Sequence, residues 1–383
     1  MKNICILGST GSVGLQTLEV CRWFKDELRV CALAAGSNWQ LLAAQAREFK
    51  PQIVALYDKS AYLQLKAALK GLPVEIVVGE KGLCDAAVWP LAHQIIAAIS
   101  GIAGLRPAFA ALNSGKQLAL ANKEVLAAAG ALAVKAALQQ RVSIVPVDSE
   151  HSAIYQCLVG EVPPFKLILT ASGGPFLSKS AAELTSIKVE EALCHPTWNM
   201  GRKVTIDSAS LVNKGLEVIE AHFLFGVDYD DIEVLIHPQS IVHSLVRFSD
   251  GNIKAQIGPP DMRLPIQYAL LGPKRAVNPL PPLDLAAYKT LTFEQPDFKR
   301  FPALALAYAA GRAGDSYTTA YNAASEILGV AFLAGRIPFT AIGSGIEAAL
   351  EKHLPRPLLG IADVLAVDEQ TRIDVENSIL CKY

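Results

Sequence analysis

Gly8-Ser9-Thr10-Gly11-Ser12-Val13-Gly14 lies between a β-prone run, Ile4-Cys5-Ile6-Leu7, and a helical pattern over Leu15–Trp23. A glycine turn that joins strand to helix at the head of a β–α series commits the chain to a parallel sheet covered by helices. The spacing is G-x-x-G-x-x-G rather than the commoner G-x-G-x-x-G. The physics is the same: small residues let backbone N–H groups approach a pyrophosphate at a helix N-terminus. The same residues also make a plain glycine-rich turn, but their strand–turn–helix setting favours dinucleotide binding.

The alternation continues. Strands are expected near Ile4–Leu7, Val30–Ala34, Ile53–Tyr57, Glu75–Val78, Gln94–Ile99, Gln117–Ala121 and Ser143–Val147, with helices such as Asn38–Glu48 and Lys123–Gln140 between them. Residues 1–150 thus read as a Rossmann-like domain. In NAD-type sites an acid at the end of the second strand bonds the ribose 2′-hydroxyl. Here that strand ends Ala34-Ala35-Gly36-Ser37-Asn38, without a carboxylate to repel a 2′-phosphate. NADPH is favoured over NADH, with Ser37 and Asn38 as candidate donors.

The pattern then changes. Residues 151–272 read as an α+β domain that carries the metal and substrate site. It has strands at Phe165–Ala171 and Ile241–Phe248, and a third, Ile253–Ile257, paired across the hairpin-type turn Ser249-Asp250-Gly251-Asn252. Helices are expected near Ser152–Val159 and Leu216–Phe225. Residues 273–302 hold Pro273, Pro279, Pro281, Pro282, Pro296 and Pro302, a density that disfavours helix and marks a connector. Residues 303–383 read as a helical domain, with helices over Ala303–Gly311, Tyr317–Ala334, Ile342–His353 and Val364–Leu380.

Charge narrows the function classes. In 383 residues, 35 Lys and Arg face 36 Asp and Glu, for a net charge of −1. That balance gives no electrostatic footprint for nucleic acid or a membrane surface. The longest apolar stretches, Val125–Val134 and Ile95–Leu105, are too short to span a bilayer, and Met1-Lys2-Asn3 runs directly into a strand, so no targeting segment is expected. The seven cysteines, Cys5, Cys21, Cys31, Cys84, Cys157, Cys194 and Cys381, form no C-x-x-C pair, which points to reduced thiols in a cytoplasmic protein.

The chemistry is concentrated in Asp207–Glu220. Ser208, Asn213 and Lys214 supply the donors and the positive charge that a phosphate needs, and Glu217 is a ligand for a hard divalent cation. Asp148 and Glu150, two apart at the end of the last strand of the first domain, point the same way if that backbone is extended. With Glu217 they would suit Mg²⁺ or Mn²⁺; equally, Asp148-Ser149-Glu150 makes a helix cap with first-turn acids. Lys123 and Ser100-Gly101 also lie at strand ends, where ligands of open parallel sheets bind; alternatively Asn122 caps a helix and Lys123 is solvated. Ser172-Gly173-Gly174 can wrap an anion or simply turn the chain. His195-Pro196-Thr197-Trp198-Asn199-Met200-Gly201 reads as a lid over bound substrate or as a loop whose indole packs on its own domain. Lone histidines such as His243 are more often structural.

Taken in order, GSTGSVG, ALANKE, PVDSEHSAI, TASGGPF, HPTWNMGRK, IDSASLVNKGLEVIEA and IHPQSIVHS closely resemble the motifs of the 1-deoxy-D-xylulose 5-phosphate reductoisomerase family. The resemblance runs from residue 1 to about 272 and extends to the connector and helical tail. It implies rearrangement of a ketose phosphate skeleton and NADPH reduction of the resulting aldehyde to 2-C-methyl-D-erythritol 4-phosphate, in non-mevalonate isoprenoid synthesis. It implies Asp148, Glu150 and Glu217 as ligands of Mg²⁺ or Mn²⁺, with Co²⁺ as a third choice. It implies Ser172, Ser208, Asn213 and Lys214 on the phosphate, and Lys123, Ser149, Glu150 and Glu217 against the rest of the substrate. His195, Trp198 and Met200 belong to the closing loop. Lys123, Glu150, His195 and Trp198 stand at the chemistry. NADPH contacts fall to Gly8, Thr10, Gly11, Ser12, Val13, Gly36, Ser37, Asn38, Ser100, Asn122, Glu124 and Gly201. Fosmidomycin-type phosphonates inhibit the family, and a homodimer in a bacterial cytoplasm or plastid-type compartment is its expected form.

Ser210 and Val212 depart from the Thr and Met of many members, and Ser37 from a Lys in some. Two other readings remain at this stage. A semialdehyde-dehydrogenase-like enzyme needs a cysteine nucleophile, for which Cys157 and Cys194 are candidates. A non-catalytic dinucleotide sensor has no use for three metal-type carboxylates.

Overall fold

The computed structural model describes every residue except Asn199, Ile379 and Tyr383. The expected loop His195–Gly201 includes Asn199 and the expected last helix includes Ile379; these two lie outside the described residues. The chain forms two compact units. One comprises Met1–Val125, Ala133–Ser152 and Asp261–Leu280; the other comprises Leu126–Leu132, Ala153–Pro260 and Pro281–Tyr383.

The first unit is built on a seven-stranded sheet. Its strands are β1 (Lys2–Leu7), β2 (Leu28–Ala35), β3 (Ile53–Leu56), β4 (Glu75–Val78), β5 (Gln94–Ala97), β6 (Gln117–Leu120) and β7 (Ile144–Pro146). Their order is β4-β3-β2-β1-β5-β6-β7, and every pairing is parallel. All seven expected strands form. Runs such as Ile53-Val54-Ala55-Leu56 are buried along their whole length, as a sheet covered on both faces requires.

Strand order reverses at β1, with β2 on one side and β5 on the other. Ligands of open α/β sheets bind beyond the carboxyl ends of strands at such a switch point, and Gly8 and Ser100 follow those two ends. Helix Arg263–Leu271 belongs to this unit although it lies far along the chain. It places Ile266, Ala269 and Leu270 in the core and accepts Lys2 Nζ at Leu270 O (3.0 Å) and Gln94 Nε2 at Ala269 O (3.0 Å).

The second unit holds a four-stranded sheet of β8 (Phe165–Ala171), β9 (Ile232–Ile236), β10 (Val242–Phe248) and β11 (Ile253–Ile257), ordered β11-β10-β8-β9. The expected hairpin is present: β10 and β11 pair antiparallel, and Phe248 N donates to Asn252 O at 2.9 Å across Gly251, whose φ is +86°. β9 was not among the expected strands. It runs parallel to β8, and its alternating burial is the period-2 mark of a half-buried strand. Helix Val212–Phe225 and the tail helices Pro302–Ala313, Tyr317–Leu333 and Ala341–Lys352 share one apolar core with β8 and β9.

In the same unit, segment Leu126–Leu132 of helix Glu124–Gln140 is kinked at Ala129 (φ −145°, ψ 30°). Thr319 Oγ1 donates to Ala128 O at 2.7 Å. A Cβ on Gly130 would lie 2.1 Å from the Phe223 ring, so glycine sets how close these two helices come. Among the described residues no helix is long and apolar enough to cross a membrane.

Candidate functional site

In the first unit the glycine loop is closed by backbone against backbone. Gly8 has φ +90°, a conformation that favours glycine, and a Cβ there would lie 2.4 Å from Ala98 O, just past β5. A Cβ on Gly14 would lie 2.2 Å from Gly8 O. Helix Ser12–Trp23 starts at Gly11, where no side chain caps the first turn, so the helix end presents main-chain donors and a positive dipole end to an anion. Thr10, Ser12 and Val13 are part of this turn. Ser9 and Gln45 brace it from beneath. Ser9 Oγ donates to Gln45 Oε1 at 2.8 Å, and Gln45 Nε2 returns a bond to Ser9 O at 2.9 Å. Gln45 was missed at the sequence level because it looks like any helical polar residue.

Gly36 and Ser37 follow β2. Asn38 caps helix Trp39–Phe49, its Oδ1 accepting Leu41 N at 3.1 Å, so only its amide NH₂ remains as a donor for a ligand. The turn after β5 is fixed from β6. Asn122 Nδ2 donates to Ile99 O and, at 2.9 Å, to Gly101 O. Asn122 Oδ1 caps Val125 N at 3.0 Å, and Glu124 Oε1 accepts Gly101 N at 3.1 Å. These two residues therefore shape the turn that holds Ser100.

Lys123 is not solvated. It is 9% exposed, and its Nζ is 2.5 Å from Asp148 Oδ2. Asp148-Ser149-Glu150 is not extended: Ser149 and Glu150 already lie in the first turn of helix Ser149–Cys157, the second of the two arrangements expected there. Asp148 Oδ1 accepts Ser149 N at 3.0 Å, and Ser149 Oγ donates to Glu150 Oε2 at 2.5 Å. The carboxylates are aimed by this helix start and by Lys123 rather than by strand alternation. His151, fully buried, was also missed; its Nδ1 is 3.8 Å from Asp148 Oδ2.

In the second unit the Asp207–Glu220 segment is two helices, Arg202–Ala209 and Val212–Phe225, joined at Leu211 in the left-handed region (φ 58°). Ser208 ends the first helix, and Asn213 and Lys214 open the second. Asn213 Nδ2 donates to Glu217 Oε1 at 2.5 Å, and Lys214 Nζ pairs with Glu217 Oε2. Lys214 is 3% exposed and Glu217 0%. One turn back, Lys203 Nζ lies 2.5 Å from Asp207 Oδ2. The glycine turn after β8 packs against this corner: a Cβ on Gly174 (φ +68°) would lie 3.0 Å from Ser208 O. Ser172 and Ser208 therefore border the same corner.

His195 reaches that corner from the following loop. Its Nε2 is 3.0 Å from Ser172 Oγ, and its Nδ1 accepts Thr197 N at 3.1 Å and Trp198 N at 2.9 Å. Burial lowers its pKa below the usual histidine value. Trp198 is half-buried, with its ring 6.2 Å from that of His243. Met200 is half-buried, and Gly201 is the exposed residue that starts helix Arg202–Ala209. All seven cysteines are free; Cys157 is buried, and Cys194 donates its thiol to Glu190 O at 3.3 Å.

Comparison with known proteins agrees along the whole chain. The model of 1-deoxy-D-xylulose 5-phosphate reductoisomerase matches residues 4–130, that of the enzyme's C-terminal domain matches 144–225, and that described as DXP reductoisomerase C-terminal domain matches 257–374. A 1-deoxy-D-xylulose 5-phosphate reductoisomerase of Heliobacterium modesticaldum is 54% identical over 356 residues, covering 92% of this chain and 91% of the relative. That of Geobacillus kaustophilus is 50% identical over 382 residues, covering 98% and 99%. Among solved structures, the enzyme from Zymomonas mobilis in complex with NADPH superposes with a TM-score of 0.92 at 41% identity, covering 98% of each chain. A DOX-P reductoisomerase in complex with NADPH, fosmidomycin and magnesium gives 0.93 at 39% identity, also covering 98% of each chain. Three family models and relatives at about half identity over nearly the full length agree: the chain belongs to the 1-deoxy-D-xylulose 5-phosphate reductoisomerase family.

Proposed function

We propose that this protein converts 1-deoxy-D-xylulose 5-phosphate to 2-C-methyl-D-erythritol 4-phosphate, using NADPH and a divalent cation, by skeletal rearrangement followed by hydride reduction. The observation that carries this reading is the buried Asn213–Lys214–Glu217 cluster beside Ser208, in a family member whose glycine loop has a cofactor-binding shape. Burying a lysine and a carboxylate is costly unless each is paired, and here they neutralise each other. A phosphate on Lys214 and a cation on Glu217 would each replace the lost partner with charge of the same sign, so the cluster suits a ligand pair that brings both.

The donor chemistry fits the groups implied. Asp148, Glu150 and Glu217 offer the hard oxygen atoms that Mg²⁺ and Mn²⁺ take. Lys123 holds Asp148 oriented, and Asn213 and Lys214 hold Glu217. The glycine loop suits a pyrophosphate, because a Cβ at Gly8 or Gly14 would force its closely packed backbone apart and carry the main-chain donors with it. When bound, the cation supplies Lewis acidity at the substrate's carbonyl and hydroxyl oxygens, and NADPH supplies the hydride. The protein's residues do the rest. Ser172, Ser208, Asn213 and Lys214 anchor the phosphate far from the reacting carbons, so that binding energy can be spent on closure and orientation. Lys123 places positive charge where an alkoxide develops. Ser149 and Glu150 fix the polyol end, and Trp198 and Met200 exclude water. Gly36, Ser37 and Asn38 receive the ribose phosphate. A cysteine-nucleophile reading has no support: Cys157 is buried, and Cys194 has no base bonded to its sulfur among the described residues.

The test is NADPH consumption by the purified protein with 1-deoxy-D-xylulose 5-phosphate. Oxidation is expected only when Mg²⁺ or Mn²⁺ is present. A folded, NADPH-binding protein that consumes none with substrate and metal both added overturns the proposal.

We also propose a homodimer, in a bacterial cytoplasm. β11 is an edge strand whose Ile253 and Ile257 are 49% and 42% exposed, and such an edge is a template for pairing with another strand. Sedimentation velocity should give twice the chain mass; a monomer at every concentration would refute the dimer.

A further inference from the structure

We infer that His195 acts as a positioning residue whose fixed tautomer makes the Ser172 hydroxyl an obligate donor to the substrate phosphate. The inference rests on the reading of Ser172 as a phosphate ligand and adds how that hydroxyl is set.

The argument is a count of hydrogens and lone pairs. Thr197 N–H and Trp198 N–H both point to His195 Nδ1, at 3.1 and 2.9 Å. Both are donors only, so Nδ1 must present its lone pair. A neutral imidazole then carries its proton on Nε2. Nε2–H, 3.0 Å from Ser172 Oγ, donates to it. Gly174 N–H donates to the same oxygen at 3.2 Å. A hydroxyl has two lone pairs and one hydrogen, so both acceptor positions of Ser172 are filled and only its proton remains. Such a group serves a phosphate dianion, which has acceptors alone, and offers nothing to a ligand that donates.

The arrangement also ties the loop to the phosphate corner. The two amides that fix the ring belong to residues two and three positions beyond it, so they reach Nδ1 only when His195–Trp198 is wrapped as seen here. Unwrapped, the ring can take its proton at Nδ1, and the Ser172 hydroxyl can then spend its own hydrogen on Nε2. Phosphate affinity thereby reports whether residues 195–198 are wrapped about the ring.

Asparagine and glutamine separate the two functions of the ring. In His195→Asn the side-chain oxygen replaces Nδ1 and keeps the amide cap, but nothing reaches Ser172. In His195→Gln the amide nitrogen replaces Nε2–H and keeps the bond to Ser172, but the cap is lost. Titration of inorganic phosphate into the NADPH-loaded protein should show His195→Asn weakened about tenfold, the usual scale for one hydrogen bond set against a charged group. Ser172→Ala should be weakened to the same degree, and the double variant should be no worse than either single change. In kinetics, KM for the phosphorylated substrate should rise more than kcat falls, and His195→Gln should recover part of the loss.

Nitrogen-15 spectra of the histidine-labelled protein, with His195 assigned by its absence from the Gln variant, should show the Nε2–H tautomer at neutral pH. Both readouts stand without turnover, so they remain decisive even if the wild-type protein fails to consume NADPH. An Nδ1–H tautomer, an imidazolium, or additive losses in the double variant would overturn the inference. So would a kcat collapse in both His195 variants at unchanged KM, which would make the ring an acid or base.

Discussion

Glu217→Gln is expected to lower turnover by about a thousandfold or more, the scale on which removing a group that fixes transition-state charge acts, while NADPH affinity changes little. The side chain is 0% exposed and is held by Asn213 and Lys214. Glutamine keeps the shape and loses the charge. Under the proposed assignment one oxygen ligand becomes a neutral amide, and Mg²⁺ and Mn²⁺, which prefer carboxylates, bind weakly. A second consequence follows from burial. Lys214, 3% exposed, loses the carboxylate charge of Glu217. Breaking one side of a buried pair typically costs about 3–5 kcal/mol, so the thermal midpoint should also fall. Inorganic phosphate, by supplying an anion to Lys214, should restore part of that midpoint without restoring turnover. Mn²⁺ titration followed by its spin resonance, NADPH fluorescence and a thermal scan check the three parts. Wild-type turnover with wild-type Mn²⁺ affinity would remove Glu217 from the metal site; a loss of NADPH binding of equal size would mean that the change had spread beyond it.

What was legible in the sequence was local. The glycine loop, the seven parallel strands and the β10–β11 hairpin all rest on signals within about ten residues, namely turn chemistry and hydrophobic period. What was not legible required knowledge of partners far away. β9 alternates in burial, but its residues Ile232-Glu233-Val234-Leu235-Ile236 hold a single polar side chain, the acids Asp228, Asp230 and Asp231 just before it read as loop, and its partner β8 lies more than sixty positions earlier. Helix Arg263–Leu271 carries no sign that it returns to the first unit, because its apolar face is generic. The candidate site divides in the same way. Residue types at Ser172, Lys214 and Glu217 suggested phosphate and metal chemistry, and the segment from His195 a lid; the Lys214–Glu217 ion pair and the His195–Ser172 bond are facts of packing. Of the two readings of Asp148-Ser149-Glu150, the helix start with first-turn acids holds and the extended strand end does not, because the helix begins at Ser149, three residues before the expected Ser152.

Gly14→Ala carries the other large effect, and it tests the cofactor half alone. The added Cβ would lie 2.2 Å from Gly8 O and 2.5 Å from Ser9 Cα. Both are backbone atoms, so no side chain can swing aside. Gly8 O already accepts Gly11 N at 3.0 Å, and Ser9 is pinned through Gln45. Relief therefore requires the loop and the first helix to part, which moves the main-chain donors away from a pyrophosphate. NADPH affinity should fall by about a hundredfold, roughly 2.7 kcal/mol, with a lower thermal midpoint, while Mn²⁺ affinity stays close to wild type. Gly11→Ala is the comparison within the same loop. Its Cβ would meet Gly8 O at an ordinary 3.4 Å, and φ of −83° suits any residue, so its cost should be clearly the smaller. Equal losses at the two positions would show that the loop answers to something other than this closure, and an unaltered NADPH affinity in Gly14→Ala would take the cofactor away from the loop altogether.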